Sequence, residues 1–163
     1  MMERSDHQTY HYGECGLSYV HLENISMFHC KPCGAEMPLI PRITELHDLI
    51  AEIVARRPQK LIPPEIRFLR THLGLSQKEY AESIGVTPES WNRWENGKDK
   101  FQLYNEKLLR YTVLACVESR RLDPATCRTI ATKSERDAEK PVLVSNGTQD
   151  GDERWLTELD PWR

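Results

Sequence analysis

The spacing of apolar residues divides the chain into four stretches of different texture. In residues 1–41 the signal has period 2. Tyr19-Val20-His21-Leu22 and Ser26-Met27-Phe28-His29 alternate, with Glu23-Asn24-Ile25 between them, and this predicts the two strands of a small β-hairpin. A two-stranded unit is marginal on its own in water, so a staple is expected. In residues 42–60 the period becomes helical. Ile43, Leu46, Ile50, Ile53 and Val54 share one face between Pro41 and Pro58, the two places where a helix tolerates proline, and this predicts a linker helix. Residues 61–132 open at Pro63-Pro64 and carry helical patterns to about residue 118, with Asp123-Pro124 starting one more short helix that reaches about Ala131. Residues 133–163 lose the periodicity. Ser145-Asn146-Gly147 and Asp150-Gly151-Asp152 are turn signals, and the stretch reads as an acidic tail with little fixed structure. The fold class that follows is mainly α, with a small N-terminal β unit.

The densest local signals lie between Leu75 and Gly97. Ser76 is a good helix N-cap and Glu79 stands at the capping-box position. Tyr80, Ala81 and Ile84 form an apolar face, and Gly85 ends the helix. Thr87 and Pro88 open the next helix, which buries Trp91 and Trp94 on one side and leaves Glu89, Ser90, Asn92 and Arg93 on the other. Residues Leu75, Ser76, Gln77, Ala81, Gly85, Val86, Thr87, Trp94, Glu95 and Gly97 resemble the helix-turn-helix of the Xre/Cro/lambda-repressor family, over about residues 61–118. The resemblance implies a lambda-repressor-like five-helix domain whose second helix enters the major groove of double-stranded DNA. Glu89, Ser90 and Arg93 are then expected to face bases, with Arg93 forked onto guanine O6 and N7. Gln77, Asn92, Asn96, Lys98 and Lys100 are expected to contact phosphate.

Charge changes this picture. The chain carries 22 basic and 25 acidic side chains, a net charge of −3, which argues against a polycationic nucleic-acid packaging protein. Residues 61–118 hold eight bases and eight acids, while residues 133–163 hold five and eight. A neutral module binds DNA weakly, so a homodimer on a palindromic operator is expected. Its surface is expected on the helix Leu103 to Val117, where Leu108, Leu109, Tyr111, Thr112 and Ala115 offer apolar area. The hydrophobic share is 39%, and no run approaches the roughly 18 apolar residues of a membrane span. Met1 to Gln8 lacks the apolar stretch of a signal peptide, so a soluble cytoplasmic protein without membrane contact is expected.

The five cysteines suggest metal or free thiols rather than a disulfide framework. Cys30-Lys31-Pro32-Cys33-Gly34 has the form of a zinc knuckle. Its expected second half, Tyr10-His11-Tyr12-Gly13-Glu14-Cys15-Gly16, has Tyr12 where a second Cys-x-x-Cys needs cysteine. Cys15, Cys30 and Cys33 are therefore the candidate Zn2+ ligands, with His11 or His29 as the fourth. Cys116 and Cys127 read as apolar fillers. Tyr10, Tyr12, Glu14, Cys15, Gly16, Leu17, Cys30, Cys33, Gly34, Ile40, Pro41, Leu46 and His47 resemble the YgiT-type zinc-finger front end of MqsA-type antitoxins, which precedes an Xre-type helix-turn-helix. Together the two resemblances span residues 10–118. They imply a transcriptional repressor that controls its own operon and binds a toxin, often a messenger-cleaving ribonuclease. The alternative is a stand-alone Xre-family regulator whose N-terminal unit senses metal or redox state.

An enzyme is not expected. The chain has no Gly-rich phosphate loop, no nucleophile elbow and no His-Glu-x-x-His. In the tail, Trp155, Leu156, Leu159 and Trp162 share the face of two helical turns. They predict either a short helix that orders on a partner or a segment docked on the protein's own core.

Overall fold

The computed structural model describes residues 2–121, 142–149 and 152–157. It contains strands β1 (Met2–His11), β2 (Val20–Cys30) and β3 (Glu36–Leu39), helices α1 (Ile43–Arg56), α2 (Pro63–His72), α3 (Gln77–Ser83), α4 (Pro88–Glu95) and α5 (Leu103–Arg121), and strands β4 (Val142–Gln149) and β5 (Asp152–Thr157). Two compact units result, one from Met1–Leu46 with Ala138–Arg163 and one from His47–Asp137. Among the described residues no helix is long and apolar enough to cross a membrane.

The first unit is a five-stranded sheet built on β2. β1 pairs with it antiparallel along its length, from Met2↔Cys30 to His11↔His21. On the other side β3 pairs antiparallel with Ser26–His29, and β4 pairs parallel with Val20–Glu23. The expected hairpin is corrected here, because its two alternating runs belong to one strand. Val20 and Leu22 are buried, then Ile25 and Met27, so the alternation slips by one residue. The slip is a β-bulge. Gln8 pairs with Ile25 but Tyr10 with Leu22, and Asn24 takes φ 58°, a conformation asparagine tolerates better than most residues. The extra residue returns the apolar set to the same face, and in sequence it looks like a turn.

The tail expected to lack structure supplies β4 and β5. They pair antiparallel from Val144↔Thr157 to Gln149↔Asp152. Ser145-Asn146-Gly147 lies within β4 rather than in a turn. Trp155 is in a strand, not a helix. It is buried, its indole Nε1 donates to the Pro41 carbonyl at 3.0 Å, and its backbone N–H donates to Glu45 Oε1 at 3.1 Å. This is the docked form of the two expectations. Leu159, Trp162, Cys127 and the helix expected at 123–131 lie outside the described residues.

The second unit is helical. The greater part of α1, expected as a linker, belongs to it. Arg110 of α5 explains why the end of α1 is fixed. Its buried guanidinium donates to the carbonyls of Val54, Ala55, Arg57 and Gln59 and to Glu106 Oε1, so it satisfies carbonyls that a helix C-terminus leaves open. Glu106 also accepts from the Leu61 N–H at 3.1 Å. Around this anchor Ile66, Leu69, Tyr80, Ala81, Trp91, Leu109 and Val113 form the core.

Trp155→Ala removes a buried aromatic side chain and leaves the Pro41 carbonyl without its donor. The expected loss is about 3–5 kcal/mol of stability in the sheet unit, read as faster amide exchange in β4 and β2. Unchanged protection of those strands rejects the docking.

Candidate nucleic-acid interface

Local chemistry fixes α3 and α4. The Ser76 hydroxyl accepts from the Glu79 N–H at 3.2 Å while Glu79 Oε2 accepts from the Ser76 N–H at 2.8 Å, a complete capping box. A hydrogen bond from the Ser76 side chain, and then the one from the Ser76 N–H, hold the Glu79 carboxyl below its ordinary value. Gly85 (φ 73°) ends α3, with Val86 N–H donating back to the Ala81 carbonyl at 3.0 Å, the backbone pattern that glycine permits at a helix end. Thr87 then caps α4 by accepting from the Ser90 N–H at 3.2 Å.

The inner side of α4 is apolar except for one group. Trp91 and Trp94 pack against Phe101, with ring centroids 5.7 Å and 5.3 Å away, and Tyr80 lies 4.7 Å from Trp91. Glu95 sits among them with its side chain wholly buried. Arg70 grips it side-on, Nε to Oε1 at 2.6 Å and Nη2 to Oε2 at 3.2 Å. Trp91 Nε1 donates to Oε1 at 2.6 Å and Gln77 Nε2 to Oε2 at 2.6 Å. Burial pushes the Glu95 carboxyl up, but the hydrogen bonds from Arg70, Gln77 and Trp91 outweigh it and hold the group below its ordinary value.

The outer side carries the residues expected to meet DNA. Glu89, Asn92, Arg93 and Asn96 are exposed and spaced to share a helix face. Ser90 is half-buried and its hydroxyl lies 3.0 Å from that of Thr87, so it serves the cap. Gln77, expected on a phosphate, bridges two partners within the domain. Its amide donates to Glu95, and its oxygen accepts from Asn92 Nδ2 at 3.2 Å. Asn96 Nδ2 donates in turn to the Asn92 carbonyl at 2.7 Å. Lys98 and Lys100 are exposed beyond the helix. Three partners were missed in the sequence. Arg70 and Arg67 lie on α2, with Arg67 Nη2 reaching the Glu95 carbonyl at 3.4 Å. Asp99 pairs with Arg93, and its only sequence signal is a carboxylate between two lysines just past Gly97.

Residues 66–103 match the family model described as Helix-turn-helix. These residues form a helix-turn-helix domain. It is a DNA-binding fold of transcriptional regulators, and it implies double-stranded DNA as partner. No curated protein and no solved structure matches the chain.

The expected zinc ligands are not brought together. His11 and Cys15 lie where β1 meets the start of β2, with Tyr12 N–H donating to the Val20 carbonyl at 2.9 Å. The Cys15 thiol donates to the Tyr12 carbonyl at 3.1 Å, and His11 Nε2 lies 2.7 Å from the Ser18 carbonyl. Cys30 is at the other end of β2, an 11-residue strand about 30 Å long. Cys33 follows it in a tight turn in which Gly34 N–H donates to the Cys30 carbonyl at 2.7 Å. His29, at this end, has Ser5 Oγ at 3.0 Å from Nε2 and Glu36 at 3.2 Å from Nδ1. Structural zinc takes four ligands at about 2.0–2.3 Å, and no four of these five residues are brought to one such site. Among the described residues no group of three His, Cys, Asp or Glu side chains is placed to hold a metal ion.

Because the folded Glu95 carboxyl lies below its unfolded value of about 4.3, its contribution is full above that value. It is lost as pH falls through the lower folded value. Glu95→Gln should cost about 3 kcal/mol at pH 7, since Arg70 stays buried without its counter-charge, and should flatten the acid limb of stability against pH. Urea titrations at several pH values check both. An unaltered acid limb rejects the assignment.

Proposed function

We propose that this protein is a sequence-specific transcriptional repressor that binds a palindromic operator at its own promoter as a homodimer. The observation that carries the reading is the two-sided α4. Its inner side is locked by Glu95 and the tryptophans, and its outer side presents Glu89, Asn92 and Arg93 as a rigid polar surface. Exposed α5 residues support the dimer. Leu103, Tyr104 and Tyr111 are 58%, 74% and 46% exposed, and Tyr104, Leu108, Tyr111, Thr112 and Ala115 follow one helical stripe. Leu109, expected on this surface, is buried in the core instead. A second copy of the chain is the occupant proposed, because neutral residues 61–118 need two half-sites for firm binding.

The finer reading is an antitoxin, with the sheet unit as the surface for a ribonuclease-type toxin. With the zinc ligands separated, its support is the residue resemblance and the order of the chain, a β unit before the helix-turn-helix domain. The alternative, a regulator sensing redox state, is favoured by one observation. Cys33 is exposed, and its thiol is held below the ordinary value first by a hydrogen bond with Cys30. Co-purification of a neighbouring reading frame's product with the chain supports the antitoxin, and its failure leaves the stand-alone regulator.

Arg93→Ala should weaken operator binding by about 1–3 kcal/mol and relax preference at one base pair per half-site, as read by gel-shift titration. Unchanged affinity and preference reject the role of Arg93. Light scattering should give a dimer at micromolar concentration. A monomer that binds one half-site tightly rejects the two-fold arrangement.

A further inference from the structure

Arg93 is 54% exposed at its side chain, yet its guanidinium is held. Nε donates to Asp99 Oδ2 at 2.5 Å and Nη2 to Asp99 Oδ1 at 3.0 Å. These are the two donors of the side edge. A guanidinium has five N–H groups in a fixed plane, so both N–H groups of Nη1 and the second of Nη2 lie outside this contact. The second N–H of Nη2 and the neighbouring N–H of Nη1 form the end-on fork, the pair of donors that fits guanine O6 and N7. The carboxylate and a base therefore use different edges of the same ion and do not compete.

The position of Asp99 is set by backbone. After α4, Gly97 takes φ 66°, its N–H donates to the Trp94 carbonyl at 3.1 Å, and the Lys98 N–H donates to the Arg93 carbonyl at 2.9 Å. This pair of bonds reverses the chain and returns it beside the last turn of the helix. A Cβ on Gly97 would stand 3.2 Å from Pro63 Cγ, so the positive φ favours glycine here and a side chain would crowd Pro63. Asp99 is thus carried back to Arg93 by a turn that has little freedom of its own.

We propose that Asp99 is a positioning residue for base recognition, bracing Arg93 side-on so that its end-on fork is aimed before DNA arrives. The inference rests on the reading that Arg93 faces a base. A long exposed arginine must otherwise lose its rotamer freedom on binding, and the brace removes part of that cost for one geometry only. It also places a negative charge near the phosphates, which disfavours every sequence alike. Asp99 therefore lowers general affinity and raises discrimination, two effects of opposite sign that a mere surface ion pair does not produce.

The full-length chain and its Asp99→Asn variant, isosteric and at an exposed position, are each used to select sites from a randomised DNA duplex pool. Affinity for the selected site, for the site with its guanine replaced, and for unrelated duplex is then measured at two salt concentrations. Melting temperatures confirm that both proteins are folded. The expected result is at least a fivefold smaller ratio between the guanine site and its substituted form. Binding to unrelated duplex should be equal or tighter, with a steeper dependence on salt. A ratio that is unchanged or larger in Asp99→Asn overturns the brace. Arg93→Lys, which keeps the charge but has no side edge to grip, should lose the same discrimination with or without Asp99. If Arg93→Ala changes nothing, or the wild-type chain selects no sequence, the reading of α4 fails and the brace with it. If Arg93→Ala loses discrimination but Asp99→Asn does not, only the brace fails.

Discussion

The Glu95 side chain is withdrawn from water, and a buried carboxylate is tolerated only when donors replace the lost hydration. Here they come from three elements, Arg70 of α2, Gln77 of α3 and Trp91 of α4 itself. Arg70 and Gln77 fix α2 and α3 against α4, so the angle between α3 and α4 is an electrostatic matter as much as a packing one. The tryptophans and Phe101 supply the apolar area, but area has no direction. Hydrogen bonds at 2.6 Å do. The same carboxylate reaches the surface through Gln77 to Asn92 and Asn96, so the outer polar residues stand on the buried network rather than loose in solvent.

The helix-turn-helix domain was legible in the sequence because its signals are local. Ser76 with Glu79, Gly85, Thr87 with Pro88, and Gly97 each act within a few residues, and each is found in its expected role. The outward set was less legible in detail. Glu89 and Arg93 are exposed as expected, whereas Ser90 serves the cap and Gln77 is held at both ends of its amide. The residues that organise them, Arg70 and Asp99, act across a tertiary contact or a chain reversal, and periodicity carries no information about either.

The sheet unit was read poorly, for reasons that are physical. A bulge at Asn24 shifts the alternation of β2 by one residue, and a shift of phase in sequence is indistinguishable from a two-strand hairpin with a short turn. β4 and β5 contain Asn, Gly, Gln, Asp and Glu, residues depleted in strands by propensity. They are strands because β2 offers an unpaired side at Val20–Glu23 and because Trp155 finds a buried place beside Pro41. Tertiary pairing overrides local preference there. The turn-and-cysteine pattern at each end of β2 likewise says nothing about the length of strand between them.

The parallel pairing of Val20 with Val142 joins segments separated by the entire helical unit. Contacts so distant in sequence form slowly, because the intervening chain must first be confined. The helical unit has its contacts within His47–Asp137 and so needs neither end of the described chain. During synthesis it is therefore complete before β4 leaves the ribosome, and its folding shortens the loop that β2 and β4 must close. The order of assembly follows from the order of strands. The module that carries α4 is ready first, and the sheet, whose β2 precedes that module in the chain, waits with one side open until β4, which follows it, is added.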